Sequence, residues 1–96
     1  MIFPEWQGRQ IVTFSRRVYQ ELEELGIDLW VVKYILEYGF DCQRSKRRKG
    51  IVERCIRSDR KVVKVVVEEF ETFEGNRVWL LLHVGMIGMK NEWEGL

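Results

Sequence analysis

The 96-residue chain contains no alanine, one proline, one histidine and two cysteines, and each shortage removes a class of reading. One proline among 46% hydrophobic residues is the composition of a folded chain, and the length allows one domain. Cys42 and Cys55 are too few for the framework of a small secreted protein and form no CxxC pair. They read as thiols in a reducing cytosol, with a Cys42–Cys55 disulfide as the alternative. The longest apolar run, residues 78–82, is far short of the roughly 20 residues that cross a bilayer, so no membrane-spanning helix and no membrane partner are expected. Residues 1–6 carry Glu5 and lack the basic-then-apolar order of a secretory signal, which makes a cytoplasmic location the expectation. No Gly-rich phosphate loop, Ser/His/Asp set or nucleotide-binding pattern occurs. The missing alanine, together with abundant Val, Ile, Glu, Lys and Arg and few amides, matches a thermophile profile, in which intracellular disulfides do occur.

What the chain does have is segregated charge. The net charge of +1 conceals a segment, residues 42–64, with ten Lys or Arg against Glu53 and Asp59, a local +8. Residues 1–41 carry −3 and residues 65–96 carry −4. So concentrated a positive field favours a polyanion at that surface.

Hydrophobic periodicity predicts a loosely ordered lead-in over residues 1–9 with Trp6 packed on the body, a domain over 10–86 and a flexible tail over 87–96. A short strand over 10–14 leads to Ser15, which caps a helix reaching Leu25 with Val18, Leu22 and Leu25 on one stripe, and Gly26 stops it. Asp28 caps a second helix over 29–38, with Leu29, Val32, Ile35 and Leu36 on its apolar stripe and Gly39 at its end. Residues 42–50 read as a basic loop or edge. Strands follow over 51–57, 61–69 and 77–84, with Asp59 and Arg60 at a tight turn. The result is an α+β domain, β-α-α-β-β-β, with a helical hairpin on one face of a mainly antiparallel sheet. If Arg57 lies opposite Val62, a period of two puts Val52, Arg54, Ile56, Val63, Val65 and Val67 on the core face, with Val78, Leu80, Leu82 and Val84 from the last strand. The opposite face then collects Glu53, Cys55, Arg57, Val62, Lys64, Val66, Glu68, Trp79, Leu81 and His83.

Over residues 11–86 the chain resembles the RelE/ParE-like toxin superfamily and related small families without an assigned function. The likeness lies in the helical hairpin GIDLWVVKYILEYG, the basic stretch RSKRRKGIVERCIR and the strands KVVKVVVEE and VWLLLHVG. It implies a compact ribonuclease-like domain that acts on messenger RNA, many members doing so in the ribosome, through basic and aromatic residues on the exposed sheet face. Several such toxins carry a C-terminal Tyr in or after the last strand, whereas here Trp79 and His83 occupy that region.

Metal-independent RNA cleavage needs a base for the 2′-hydroxyl proton, cations for the phosphorane and an acid for the leaving oxygen. His83 is the one side chain that ordinarily titrates near neutral pH, Glu53 is the alternative base, and Arg57 and Lys64 are the candidate charge stabilisers. The plainer alternatives are a packed His83 and a cross-strand Glu53–Lys64 ion pair. Arg44, Lys46, Arg47, Arg48 and Lys49, with Arg60 and Lys61, are the candidate phosphate contacts, so RNA or the ribosome is the expected partner. A solvated loop that guards a sheet edge, or a dock for an acidic antitoxin-like protein, is the alternative for the same residues. Tyr34, Tyr38, Phe40 and Trp79 could stack on bases or belong to the core. Cys42, Cys55 and His83 lack the spacing of a zinc site, so no metal or cofactor is expected. Two further readings stay open: a non-catalytic module for an acidic protein, and a homodimer joined through a sheet patch of Trp79, Leu81 and Val66.

Overall fold

Two capping side chains start the helical part of the molecule. In the computed structural model, which describes residues 2–42, 49–59 and 61–88, the Ser15 hydroxyl accepts from the Val18 amide at 3.4 Å. The Asp28 carboxylate accepts from the Trp30 and Val31 amides at 3.0 and 3.1 Å. Each cap satisfies donors that a first helical turn leaves without partners, opening α1 (Arg16–Leu25) and α2 (Leu29–Tyr38).

The helices end at glycines for two different reasons. Gly26 takes a left-handed conformation (φ 69°), so that the Ile27 amide can donate back to the Leu22 carbonyl at 3.0 Å. Gly39 has an ordinary φ of −78°, but a Cβ there would strike the carbonyl oxygens of Ile35 and Cys55. Space is what requires glycine at this second position.

Among the described residues six strands form one sheet: β1 (Glu5–Trp6), β2 (Arg9–Val12), β3 (Phe40–Asp41), β4 (Ile51–Ser58), β5 (Lys61–Glu71) and β6 (Arg77–Gly88). Their spatial order is β1-β2-β6-β5-β4-β3; β2 runs parallel to β6 and the other neighbours are antiparallel. The chain is therefore α+β. Two short strands, β1 and β3, extend the sheet beyond the elements expected from periodicity. β1 draws part of the lead-in into the sheet and buries Trp6, and β6 continues to Gly88, two residues beyond the expected domain end.

Arg57 does stand opposite Val62 in the β4–β5 hairpin. Val63, Val65 and Val67, with Val52 and Ile56 packed against them, accordingly join Val18, Leu22, Val32, Ile35 and Leu36 of the helices in the main core. The last strand departs from strict alternation. Val66 pairs with His83 but Val67 pairs with Leu81, so Leu82 is an extra residue, a β-bulge that shifts the side-chain phase. Trp79 and Leu81 therefore face the core together with Val84, where Val78, Leu80 and Leu82 were expected. Trp79, Leu81 and Val66 are all buried, which removes the sheet patch proposed for a dimer. Trp79 stacks at a tilt on Trp6, ring centroids 5.3 Å apart, and its Nε1–H donates to the Trp6 carbonyl at 2.9 Å.

Arg54 fastens α2 to the sheet. Its Nη1 donates to the Leu36 carbonyl at 3.0 Å and to that of Gly39 at 3.4 Å, completing the helix C-terminus. Its Nε lies 2.9 Å from Asp41 Oδ1, an ion contact outside hydrogen-bond alignment, and its guanidinium sits 5.8 Å over the Trp6 ring.

Cys42 and Cys55 are joined, which corrects the expectation of two thiols. Their Cα atoms are 5.7 Å apart, a separation suited to a disulfide, and the half-cystines pack with Val62 and Ile87 in a second small core. Two stability measurements check these roles. In urea unfolding, Gly26→Ala should cost about 1–2 kcal/mol for its left-handed backbone, and Gly39→Ala about 3 kcal/mol or more for its backbone collisions; equal costs would show the close approach at Gly39 to be wrong. Reducing the disulfide, whose half-cystines are 13 residues apart, should lower the unfolding free energy by about 3 kcal/mol relative to the oxidised protein.

Candidate functional site

The strand register determines which side chains meet on the face opposite the main core. Three successive rows on that face are Glu53, Val66 and His83; Cys55, Lys64 and Gly85; and Arg57, Val62 and Ile87. The four residues singled out for chemistry thus share one face without forming one cluster. Glu53 and His83 flank Val66 in the first row, two strand spacings or about 10 Å apart at their backbones. Glu53 has a side chain only 5% exposed, and its Oε2 lies 4.0 Å from Lys64 Nζ. Arg57 is exposed toward the hairpin end of β4.

His83 is held by Glu21, a residue of α1 outside its Val18, Leu22 and Leu25 stripe. Its Nδ1 lies 3.2 Å from Glu21 Oε2, while Glu21 Oε1 accepts from the Val84 amide at 3.1 Å. A carboxylate only accepts, so Nδ1 carries the proton in this pair and, in the neutral ring, Nε2 keeps its lone pair. The Val84 amide points away from β5, along the part of β6 that β2 leaves uncovered after Leu80. Glu21 therefore satisfies an open sheet edge and orients the imidazole with the same carboxylate. Arg17 Nε lies 3.9 Å from Glu21 Oε2 at the exposed rim. Gly85 provides the space: a Cβ there would come within 2.8 Å of His83 Nε2, so the ring lies over the glycine backbone, with its side chain 42% exposed. The sequence held one clue to Glu21. It follows Val18 by three residues and so borders the buried stripe of α1.

Beside this pair, where β2 and β6 diverge, Thr13, Phe14, Ser15, Arg17, Val18, Leu80, Leu81 and Leu82 line a cleft of about 320 Å³, at the small end of the range for ligand sites. The Thr13 hydroxyl donates to the Leu81 carbonyl at 3.1 Å and closes its floor. Phe14 is exposed at the mouth, edge-on to Phe70 with ring centroids 6.1 Å apart.

Of the candidate phosphate contacts, Arg44, Lys46, Arg47, Arg48 and Arg60 lie outside the described residues. Lys49 and Lys61 are exposed but stand at opposite ends of β4, roughly 25–30 Å apart along the strand, so they do not form one contact. Trp79 is buried and its indole is already engaged, which removes it from the stacking candidates, whereas Tyr34, Tyr38 and Phe40 remain exposed. Comparison with protein-family models, curated proteins and solved structures returns no match.

The tautomer of His83 provides a direct check on the site. Long-range proton–nitrogen spectra of the neutral ring should show hydrogen on Nδ1. Glu21→Ala should shift the ring toward the Nε2–H form and cost about 1 kcal/mol through the lost acceptor for the Val84 amide. An unchanged tautomer in Glu21→Ala would mean that Glu21 does not orient the ring.

Proposed function

We propose that the protein is an RNA-directed domain of the RelE-like type, with the chemistry of a metal-independent endoribonuclease. The observation that carries this reading is the Glu21–His83 pair, a carboxylate-oriented imidazole beside a cleft on a chain whose middle third is strongly basic. The strand, helical hairpin and three following strands within the observed element order support it as well.

In this scheme a ribonucleotide base lies against Phe14 and Leu82 at the cleft. His83 Nε2 accepts the proton of the 2′-hydroxyl while Glu21 holds Nδ1–H and stabilises the resulting imidazolium. The 2′ oxygen attacks the adjacent phosphorus and the bond to the 5′ oxygen breaks. That leaves a 2′,3′-cyclic phosphate and a 5′-hydroxyl whose proton comes from water. Lys64, one strand over and one row from His83, offsets charge on the phosphorane, while Arg57, a further row along on β4, draws the RNA backbone toward that face. Glu53, buried beside Lys64, positions that cation, a role that replaces its candidacy as a base. Arg44, Lys46, Arg47, Arg48 and Lys49, with Arg60 and Lys61, bind the RNA backbone outside the reacting step, in free RNA or on a ribosome in the cytoplasm. An acidic antitoxin-like protein would compete for the same cations.

Binding of a labelled RNA oligomer across a salt series tests the reading. Log K should fall steeply with log salt, and neutralising Lys46, Arg47 and Arg48 to Gln should flatten the slope by about 2, the loss expected for three single-strand phosphate contacts. His83→Gln should retain binding and lose at least about 100-fold in cleavage, the usual size of a general-base contribution. No binding near physiological salt would remove free RNA as the ligand. Binding without cleavage by the unaltered chain would reduce the role to RNA recognition.

A further inference from the structure

We propose that the exposed face of α2 joins two copies of this chain in an antiparallel helix pair. The helix turns Val32, Ile35 and Leu36 into the core and sends three aromatic side chains the other way. Trp30, Tyr34 and Tyr38 recur every four residues and are 51%, 54% and 66% exposed, with Val31 at 37% beside them. At 100° per residue these three lie within an 80° arc, so they form one stripe rather than scattered surface residues. Tyr34 and Tyr38 already touch, with ring centroids 4.9 Å apart. The Glu37 carboxylate raises the pKa of the Tyr38 hydroxyl and keeps it a neutral phenol.

The area suits a weak dimer. An aromatic side chain offers 150–250 Å², so the exposed parts of three of them with Val31 give roughly 350 Å² of apolar surface, within the range of functional patches on monomers. Two copies would cover about 700 Å² of it, which a polar rim brings toward the lower end of specific interfaces at about 1,200 Å².

Charge complementarity selects a second copy as the occupant. The stripe is flanked on one side by Lys33 and Glu37, one cation and one anion on adjacent turns. A two-fold axis through Tyr34 sets Tyr34 against the partner's Tyr34 and Trp30 against the partner's Tyr38. With a rise of 1.5 Å per residue, it also brings Lys33 to within about 3 Å along the axis of the partner's Glu37, twice per dimer. The face is self-complementary and carries no net charge, so neither an acidic nor a basic partner is favoured over a copy.

Sedimentation of the full chain from about 1 to 500 µM should show a reversible dimer with a dissociation constant in the micromolar range. Tyr34→Glu should leave a monomer throughout with unchanged far-UV circular dichroism, since the side chain lies outside the core. Lys33→Glu alone should weaken the dimer about five- to tenfold, and adding Glu37→Lys should restore it, because reversing both charges rebuilds the same pairs. A strict monomer at every concentration overturns the proposal. So does a dimer that survives Tyr34→Glu, or a double reversal that fails to restore association in a folded protein.

Discussion

The core and the candidate site both depend on one unpaired residue in β6. Leu82 sits where the β5–β6 register jumps, between the pairs Val66–His83 and Val67–Leu81. Without it, alternation would turn either Val84 or both Trp79 and Leu81 toward solvent, and each apolar side chain so exposed would forfeit roughly 2–3 kcal/mol of burial. With it, all three pack against the helices, and His83 lies at the margin of the sheet where Glu21 reaches it. Bulges of this kind interrupt the ladder locally and re-aim the side chains beyond them.

The remaining constraints hold the two ends of the sheet. At one end Trp6 covers Trp79 and brings β1 into the structure. At the other, Gly39 lets the chain leave α2 against the backbone of β4, Arg54 completes the helix carbonyls, and the disulfide ties Cys42 to Cys55. Cys42 and Gly50, on either side of the Arg- and Lys-rich run of the sequence, are both tied to the sheet. Cys42 is held by the disulfide, and the Gly50 carbonyl accepts from the Glu69 amide at 2.8 Å.

The surfaces divide into distinct environments. The face that carries Glu53, Lys64 and His83 is polar and partly buried, and a small cleft lies where β2 and β6 diverge. The outer face of α2 is aromatic and carries no net charge. The helices join the two: Glu21 on α1 orients His83, while α2 seals the core with its other side. The His83 chemistry and self-association would therefore draw on different residues, whereas base stacking on Tyr34 and Tyr38 would compete with the helix pair.

Local chemistry made much of this legible in the sequence. Ser15 and Asp28 are short polar side chains ahead of helical stripes, Gly26 terminates a helix through its left-handed backbone, and Arg57 opposite Val62 follows from the shortness of the turn between them. Each of these depends on neighbours a few residues away, which periodicity records. The charge segregation was equally plain, because it is a property of composition along the chain. What the tertiary structure alone decided is the inward phase of Trp79, the disulfide, the burial of Glu53 and the meeting of Glu21 with His83 across 62 residues of chain. A single extra residue in a strand leaves no mark in a run of apolar side chains that packs well in either phase. A contact between distant residues depends on how elements dock, and local sequence does not encode docking.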